Sequence, residues 1–187
     1  MSIPAAPSND DSVHDRLVGT RLPNVRLEST AGAVDMVALA QDLLVLFVYP
    51  HATGLPEPPV PGWDSIPGAV GCTAQSCGFR DAHVRLSEFG ATLAGVSVQE
   101  HAEQASFADR VGLRYPLISD PRLELAKAIG LPIFSASHRT FYRRLTLIVT
   151  RGRIAKVFYP IEEPARNATD VVEWLQAEGH LTAERSV

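Results

Sequence analysis

The sequence predicts a layered α/β domain built on a mixed central β-sheet, and three observations carry that prediction. Apolar strand-like runs alternate with amphipathic stretches of helical period along most of the 187 residues, the order that stacks helices on a sheet. The run Leu43-Leu44-Val45-Leu46-Phe47-Val48-Tyr49 is apolar throughout, as a central strand buried on both faces requires. Late in the chain, two further apolar runs are joined by Thr150-Arg151-Gly152-Arg153, a hairpin signal that adds antiparallel pairing to the sheet.

Each element has its own warrant. Residues 1–18 are polar, with Asn9-Asp10-Asp11-Ser12 among them, and read as a disordered lead-in. Residues 25–27 and 34–37 are short candidate edge strands. Residues 73–89 are helical, because Phe79, Ala82, His83, Leu86 and Phe89 recur at steps of three and four. A strand at 93–98 precedes a helix at 100–111, which Gly112 is placed to end. After a short strand at 116–119, Asp120 as N-cap and Pro121 at the first position start a helix that Gly130 stops. Strands at 145–149 and 154–159 form the hairpin, and residues 169–178 form the last helix. The reading is one domain over 19–180, with 181–187 a solvated tail. A central strand, a cysteine-bearing helix, a crossover and a late hairpin together make a thioredoxin-like order.

Composition narrows the function. Apolar content is 45%, charged content 20%, net charge −4 and pI about 5.8, ordinary for a globular domain. There is no basic stripe to bind nucleic acid. No run reaches the roughly 18 to 20 apolar residues of a membrane span. The N-terminus lacks the basic segment and apolar core of a secretory signal, so a cytoplasmic location is expected. Fifteen of the seventeen basic residues are Arg, a compositional habit without functional weight.

Cys72 and Cys77 are the only cysteines, and their placement matters more than their number. Cys72 closes a long loop and helical sequence follows at once. A thiol at a helix N-terminus meets the positive end of the helix dipole, which favours thiolate. A second thiol one and a half turns on can trap whatever the first becomes. In a cytosolic chain such a pair points to catalysis or redox sensing rather than a staple. Five residues apart on a helix, the two point about 140° away from each other, with Cα atoms roughly 8 to 9 Å apart. That exceeds the ~7 Å limit for a disulfide, so bond formation requires residues 72–79 to unwind, which Gly71 and Gly78 would ease. The preceding loop, residues 50–71, carries six prolines and four glycines and no periodicity. Loops of that length in a compact domain are functional or disordered, and Trp63 is a candidate anchor.

Gly71-Cys72-Thr73-Ala74-Gln75-Ser76-Cys77-Gly78-Phe79-Arg80-Asp81 resembles the active-site segment of peroxiredoxins, most of all the Q type, or bacterioferritin-comigratory proteins. Leu46-Phe47-Val48-Tyr49-Pro50, Gly95-Val96-Ser97, Pro116-Leu117-Ile118-Ser119-Asp120 and Arg144-Leu145-Thr146-Leu147-Ile148-Val149 resemble further landmarks, over about residues 22–175. The resemblance implies Cys72 as peroxidatic cysteine, Cys77 as resolving cysteine and Arg144 as active-site arginine. Alternation along the strand lets only one of Arg143 and Arg144 reach the site. It also implies hydrogen peroxide and alkyl hydroperoxides as substrates, thioredoxin or a similar dithiol as reductant, and no cofactor. An intramolecular Cys72–Cys77 bond needs no partner chain, which leaves a monomer or a homodimer open. The family pattern P-x-x-x-T-x-x-C is broken: Ala69 stands where Thr is expected, and the loop is inserted after Pro50, with Thr53 just beyond it. Either Thr53 folds back to supply the hydroxyl or the hydroxyl is missing. The alternatives are a redox sensor or binding protein with little turnover, two packed thiols, a zinc site completed by two histidines, and a disulfide reductase, whose pair would be C-x-x-C.

Overall fold

The computed structural model describes residues 10–53 and 59–184. In chain order the elements are α1 (Asp10–Leu17), β1 (Arg26–Ser29), β2 (Val34–Asp35), α2 (Met36–Leu39), β3 (Leu43–Val48), α3 (Cys72–Glu88), β4 (Ala91–Ser97), α4 (His101–Val111), β5 (Leu117–Ser119), α5 (Glu124–Ile129), β6 (Ile133–Ala136), β7 (Arg139–Tyr142), β8 (Leu145–Thr150), β9 (Arg153–Phe158) and α6 (Asn167–Glu184). Seven strands form one sheet in the order β2-β1-β5-β4-β3-β8-β9, and β6 and β7 pair separately. β3 runs parallel to β4 and antiparallel to β8, so the sheet is mixed, as the late hairpin predicts.

The apolar run of β3 is explained by burial on both faces. Leu44, Leu46 and Val48 point into one core, with Val13 and Leu17 of α1 and Leu125 of α5. Val45, Phe47 and Tyr49 point into the other, with Phe79 and Leu86 of α3, Phe107 of α4 and Val171 and Leu175 of α6. Phe47 stacks on Phe79 with ring centroids 4.6 Å apart. That packing needs Gly95 beneath it, because a Cβ there would sit 2.6 Å from Phe47 Cζ and 2.8 Å from Leu117 Cδ2. The chain leaves β3 at its carboxyl end, the edge at which open α/β sheets carry their sites, and returns to α3 on that side.

The structure departs from the sequence expectations in five places. Residues 10–17 form a helix rather than a disordered lead-in, because Val13 and Leu17, one turn apart, are buried against the sheet; residues 1–9 lie outside the described residues. Met36 and Val37 are helical rather than extended, since Asp35 Oδ1 accepts from the Val37 and Ala38 amides at 2.9 and 3.0 Å and caps a single turn. Asp120 does bond helix amides, but those of Glu124 and Leu125 at 2.8 and 3.0 Å, so α5 begins three residues later than Pro121 implies. Residues 133–142 form the β6–β7 hairpin, in a stretch to which the sequence reading assigns no element; its turn puts Ser137 and His138 at positive φ. The last helix runs on to Glu184 through the start of the expected tail, and residues 185–187 are outside the described residues.

The inserted loop is folded onto this hairpin. Trp63 is buried and contacts Phe141 at 5.0 Å and Phe134 at 5.9 Å between ring centroids, so it does anchor the loop. Val60 and Ala69 complete that small core.

Gly95→Ala is expected to cost about 1–3 kcal/mol, the range for overpacking a filled core, read as a lower urea midpoint at unchanged slope.

Candidate active site

Gly71 is the residue before α3 and has φ 99°, a left-handed conformation that glycine adopts without strain. A Cβ there would also meet Pro164 Cγ at 2.7 Å. Both constraints set the direction in which the chain enters α3, and so put Cys72 at its first position. Cys72 is 4% exposed. Its Sγ donates to the Ala69 carbonyl at 3.4 Å and accepts from Arg144 Nη2 at 3.2 Å.

Arg144, immediately before β8, is 3% exposed. Its Nη2 also gathers the carbonyls of Gly68, Ala69 and Val70 at 3.2, 3.3 and 2.9 Å, so the guanidinium folds the end of the loop around itself. Nη1 donates to Gln75 Oε1 at 2.6 Å. Gln75 Nε2 donates to Asn167 Oδ1 at 3.0 Å, which also accepts from Thr146 Oγ1 at 2.7 Å. All of these acceptors are neutral. Among the described ion pairs none involves Arg144. A buried cation held only by neutral acceptors strongly favours an anion beside it, and the sulfur of Cys72 is the atom in reach.

Cys77 is half-buried, and both thiols are free. They share one continuous helix, so the helical spacing separates them in this state. Two buried phenols flank the pair's surroundings. Tyr49 donates to Gln104 Oε1, and Tyr115 donates to the Ser76 carbonyl at 2.8 Å. Burial pushes both phenols well above their ordinary range. They therefore act as donors, not as bases. Beside Arg144 opens a cleft of about 610 Å³, walled by Ile66, Val70, Tyr159, Ile161 and Pro164. Among the described residues no three His, Cys, Asp or Glu side chains are grouped to hold a metal ion.

The structure thus brings Cys72 and Arg144 together, with Cys77 along the same helix. Arg143 is instead half-buried, its guanidinium 5.5 Å from the Phe134 ring. Thr53 lies at the start of the loop, its carbonyl accepting from Arg110 Nη2 and Nε at 2.6 and 3.1 Å; residues 54–58 are outside the described residues. Ala69 is fully buried among Val60, Trp63 and Phe141. The sequence reading missed Gln75 and Asn167. Gln75 was accessible to it, three residues after Cys72 and so on the same helical face. Asn167 was not, lying 92 residues from Gln75. His51 is buried against Trp63 and Phe141, with Nδ1 unpartnered among the described residues.

A mixed sheet of this order with a thiol opening a helix beneath a buried guanidinium defines a thioredoxin-like thiol-redox domain. The Redoxin family model matches residues 17–172, and the chain belongs to that family. Within it the chain is similar to Peroxiredoxin bcp1 of Schizosaccharomyces pombe, 32% identical over 127 residues, which is 66% of this chain and 57% of that protein. The chain spans about half the length of the first curated relatives it matches. Two solved structures share the fold. The peroxidoxin BcpB of Mycobacterium tuberculosis has TM-score 0.70 and 24% identity, over 86% of this chain and 97% of that one. The bacterioferritin comigratory protein of Xanthomonas campestris has TM-score 0.68 and 20% identity, over 86% and 98%.

Two outcomes are expected. In a Cys77→Ser background, Arg144→Met slows iodoacetamide alkylation of Cys72 by about ten- to a hundredfold, the range for losing a hydrogen bond to a charged group. Burial lowers the pKa of His51, with Glu103 opposing and Arg139 adding to the shift. Below pH about 6.5 the unfolded chain therefore takes up a proton that the folded chain resists. The stability present above that pH falls as pH drops, and His51→Gln flattens the fall in urea midpoint between about pH 6.5 and 5.

Proposed function

We propose that this protein is a thiol peroxidase that reduces hydrogen peroxide and alkyl hydroperoxides. The observation that carries the proposal is the buried Arg144 guanidinium, with neutral partners otherwise, donating to Cys72 Sγ at 3.2 Å. The similarity to peroxiredoxins supports it, as does the work on alkyl peroxide reduction by the Xanthomonas protein.

In this reading the Cys72 thiolate attacks one oxygen of the O–O bond. The bond breaks, its electron pair goes to the distal oxygen, and a proton releases that oxygen as water or alcohol, leaving a sulfenic acid on Cys72. Charge develops on the leaving oxygen, and donors fixed in a dry site stabilise it best. Arg144 Nε is buried without a partner among the described residues and is a donor available to that oxygen. Ala69 offers no hydroxyl, and Thr53 is the proposed substitute. The Cys77 thiol then displaces the hydroxyl of the sulfenic acid, giving a disulfide and water. An external dithiol such as thioredoxin restores both thiols by exchange. An intramolecular bond needs no partner chain, so a monomer suffices, and the proposed location is the cytoplasm.

One observation favours a second reading, a redox sensor with little turnover: the residue three before Cys72 is a fully buried alanine. Intact mass after one equivalent of hydrogen peroxide separates the two. The expected result is loss of two hydrogens within seconds in the wild type, and an oxygen adduct on Cys72 in Cys77→Ser. Unchanged masses over minutes would overturn the peroxidase and leave the sensor.

A further inference from the structure

The segment at the start of α6 lies along the first two turns of α3. At one end Gly71 abuts Pro164, and at the other a Cβ on Gly78 would meet the Ala165 carbonyl at 3.1 Å. Between them Gln75 Nε2 donates to Asn167 Oδ1 at 3.0 Å, and Thr146 Oγ1 holds that same oxygen at 2.7 Å. Gln75 and Thr146 are fully buried and Asn167 is 1% exposed. The segment does not drift, because Ala168, Val171, Val172 and Leu175 of α6 are core residues. Residues 71–78 are therefore gripped at three points by 164–168, and they are the residues that must unwind before Cys77 can reach Cys72.

We infer that Asn167 is a positioning residue for the second half of the reaction: by holding Gln75 it keeps residues 72–77 helical and sets how fast Cys77 arrives at an oxidised Cys72. The inference rests on the two-thiol cycle proposed above. The sulfenic acid has two competing fates. Attack by Cys77 forms the S–S bond, breaks the S–O bond and releases water, the Cys72 sulfur being reduced by one electron and the Cys77 sulfur oxidised by one. Attack by the sulfenate on a second peroxide instead adds an oxygen to Cys72, reduces that peroxide to water or alcohol, and gives sulfinic acid, which a dithiol does not restore. A grip that delays unwinding diverts flux to the second branch. Its release speeds the first by about fivefold, the factor that one net hydrogen bond is worth.

The test is the partition between the branches at rising excess of hydrogen peroxide, read by intact mass as loss of two hydrogens against gain of two or three oxygens. Both branches start from the same sulfenic acid, so the ratio is insensitive to the first step. Asn167→Leu is expected to lower the hyperoxidised fraction about fivefold at a matched dose. Thr146→Val, which frees only one of the two bonds to Asn167, lowers it less. Leu125→Ala, destabilising but in the core on the opposite face of the sheet, serves as control and leaves the ratio unchanged. An unchanged or raised hyperoxidised fraction in folded Asn167→Leu overturns the inference. If that variant does not fold, Thr146→Val decides in its place. A wild type that forms disulfide while its variants partition identically sinks the role of Asn167 alone. A wild type that never loses two hydrogens sinks the two-thiol cycle and this role with it.

Discussion

The site depends on one costly arrangement, a guanidinium taken out of water without a carboxylate to neutralise it. Burying a cation is unfavourable unless its donors are satisfied, and Arg144 engages both terminal nitrogens with three loop carbonyls, one amide oxygen and one sulfur, while its Nε has no partner among the described residues. Each of those contacts fixes something. The carbonyls shape the last residues of the inserted loop, the amide ties the guanidinium to α3, and the sulfur is the atom proposed to react. Replacing the one neutral side-chain partner, Gln75, with an acid would quench the charge that the sulfur otherwise meets.

The fold exists around this point in a definite sense. β3 is buried on both faces and delivers the chain to the carboxyl edge of the sheet. β8, beside it, begins at the residue after Arg144. α3 starts at Cys72 because Gly71 has a left-handed backbone and because Pro164 leaves room for nothing larger. Arg144, 72 residues beyond Cys72 in sequence, is thereby brought within hydrogen-bonding reach of its sulfur. The loop adds its own small core, in which Trp63, Phe134 and Phe141 hold the residues leading to Cys72 against the β6–β7 hairpin.

Local patterns were legible in the sequence and remote pairings were not. The apolar run of β3, the helical period after Cys72, the hairpin at 150–153 and the capping glycine Gly112 each announce themselves within a few residues, and the structure bears out each element. Cys72 was conspicuous because a thiol at a loop–helix junction is a local signal, and Arg144 because its strand resembles a known one. The first helix escaped because Val13 and Leu17 are two apolar residues in a polar stretch, and only the sheet they land on makes them a face. The β6–β7 hairpin escaped because its turn uses Ser137 and His138 at positive φ rather than glycine. Asn167 is polar, near a helix start, and carries meaning only through Gln75 and Thr146.

The two cysteines occupy one unbroken helix. A disulfide between them and that helix are mutually exclusive, so under the proposed two-thiol cycle the oxidation state would be written into the shape of the surface as well as into the bond. A partner would then tell the two forms apart without touching either sulfur, by the presence or absence of two helical turns. The protein would then carry a one-bit record of its last encounter with an oxidant, held in backbone conformation and erased only by reduction.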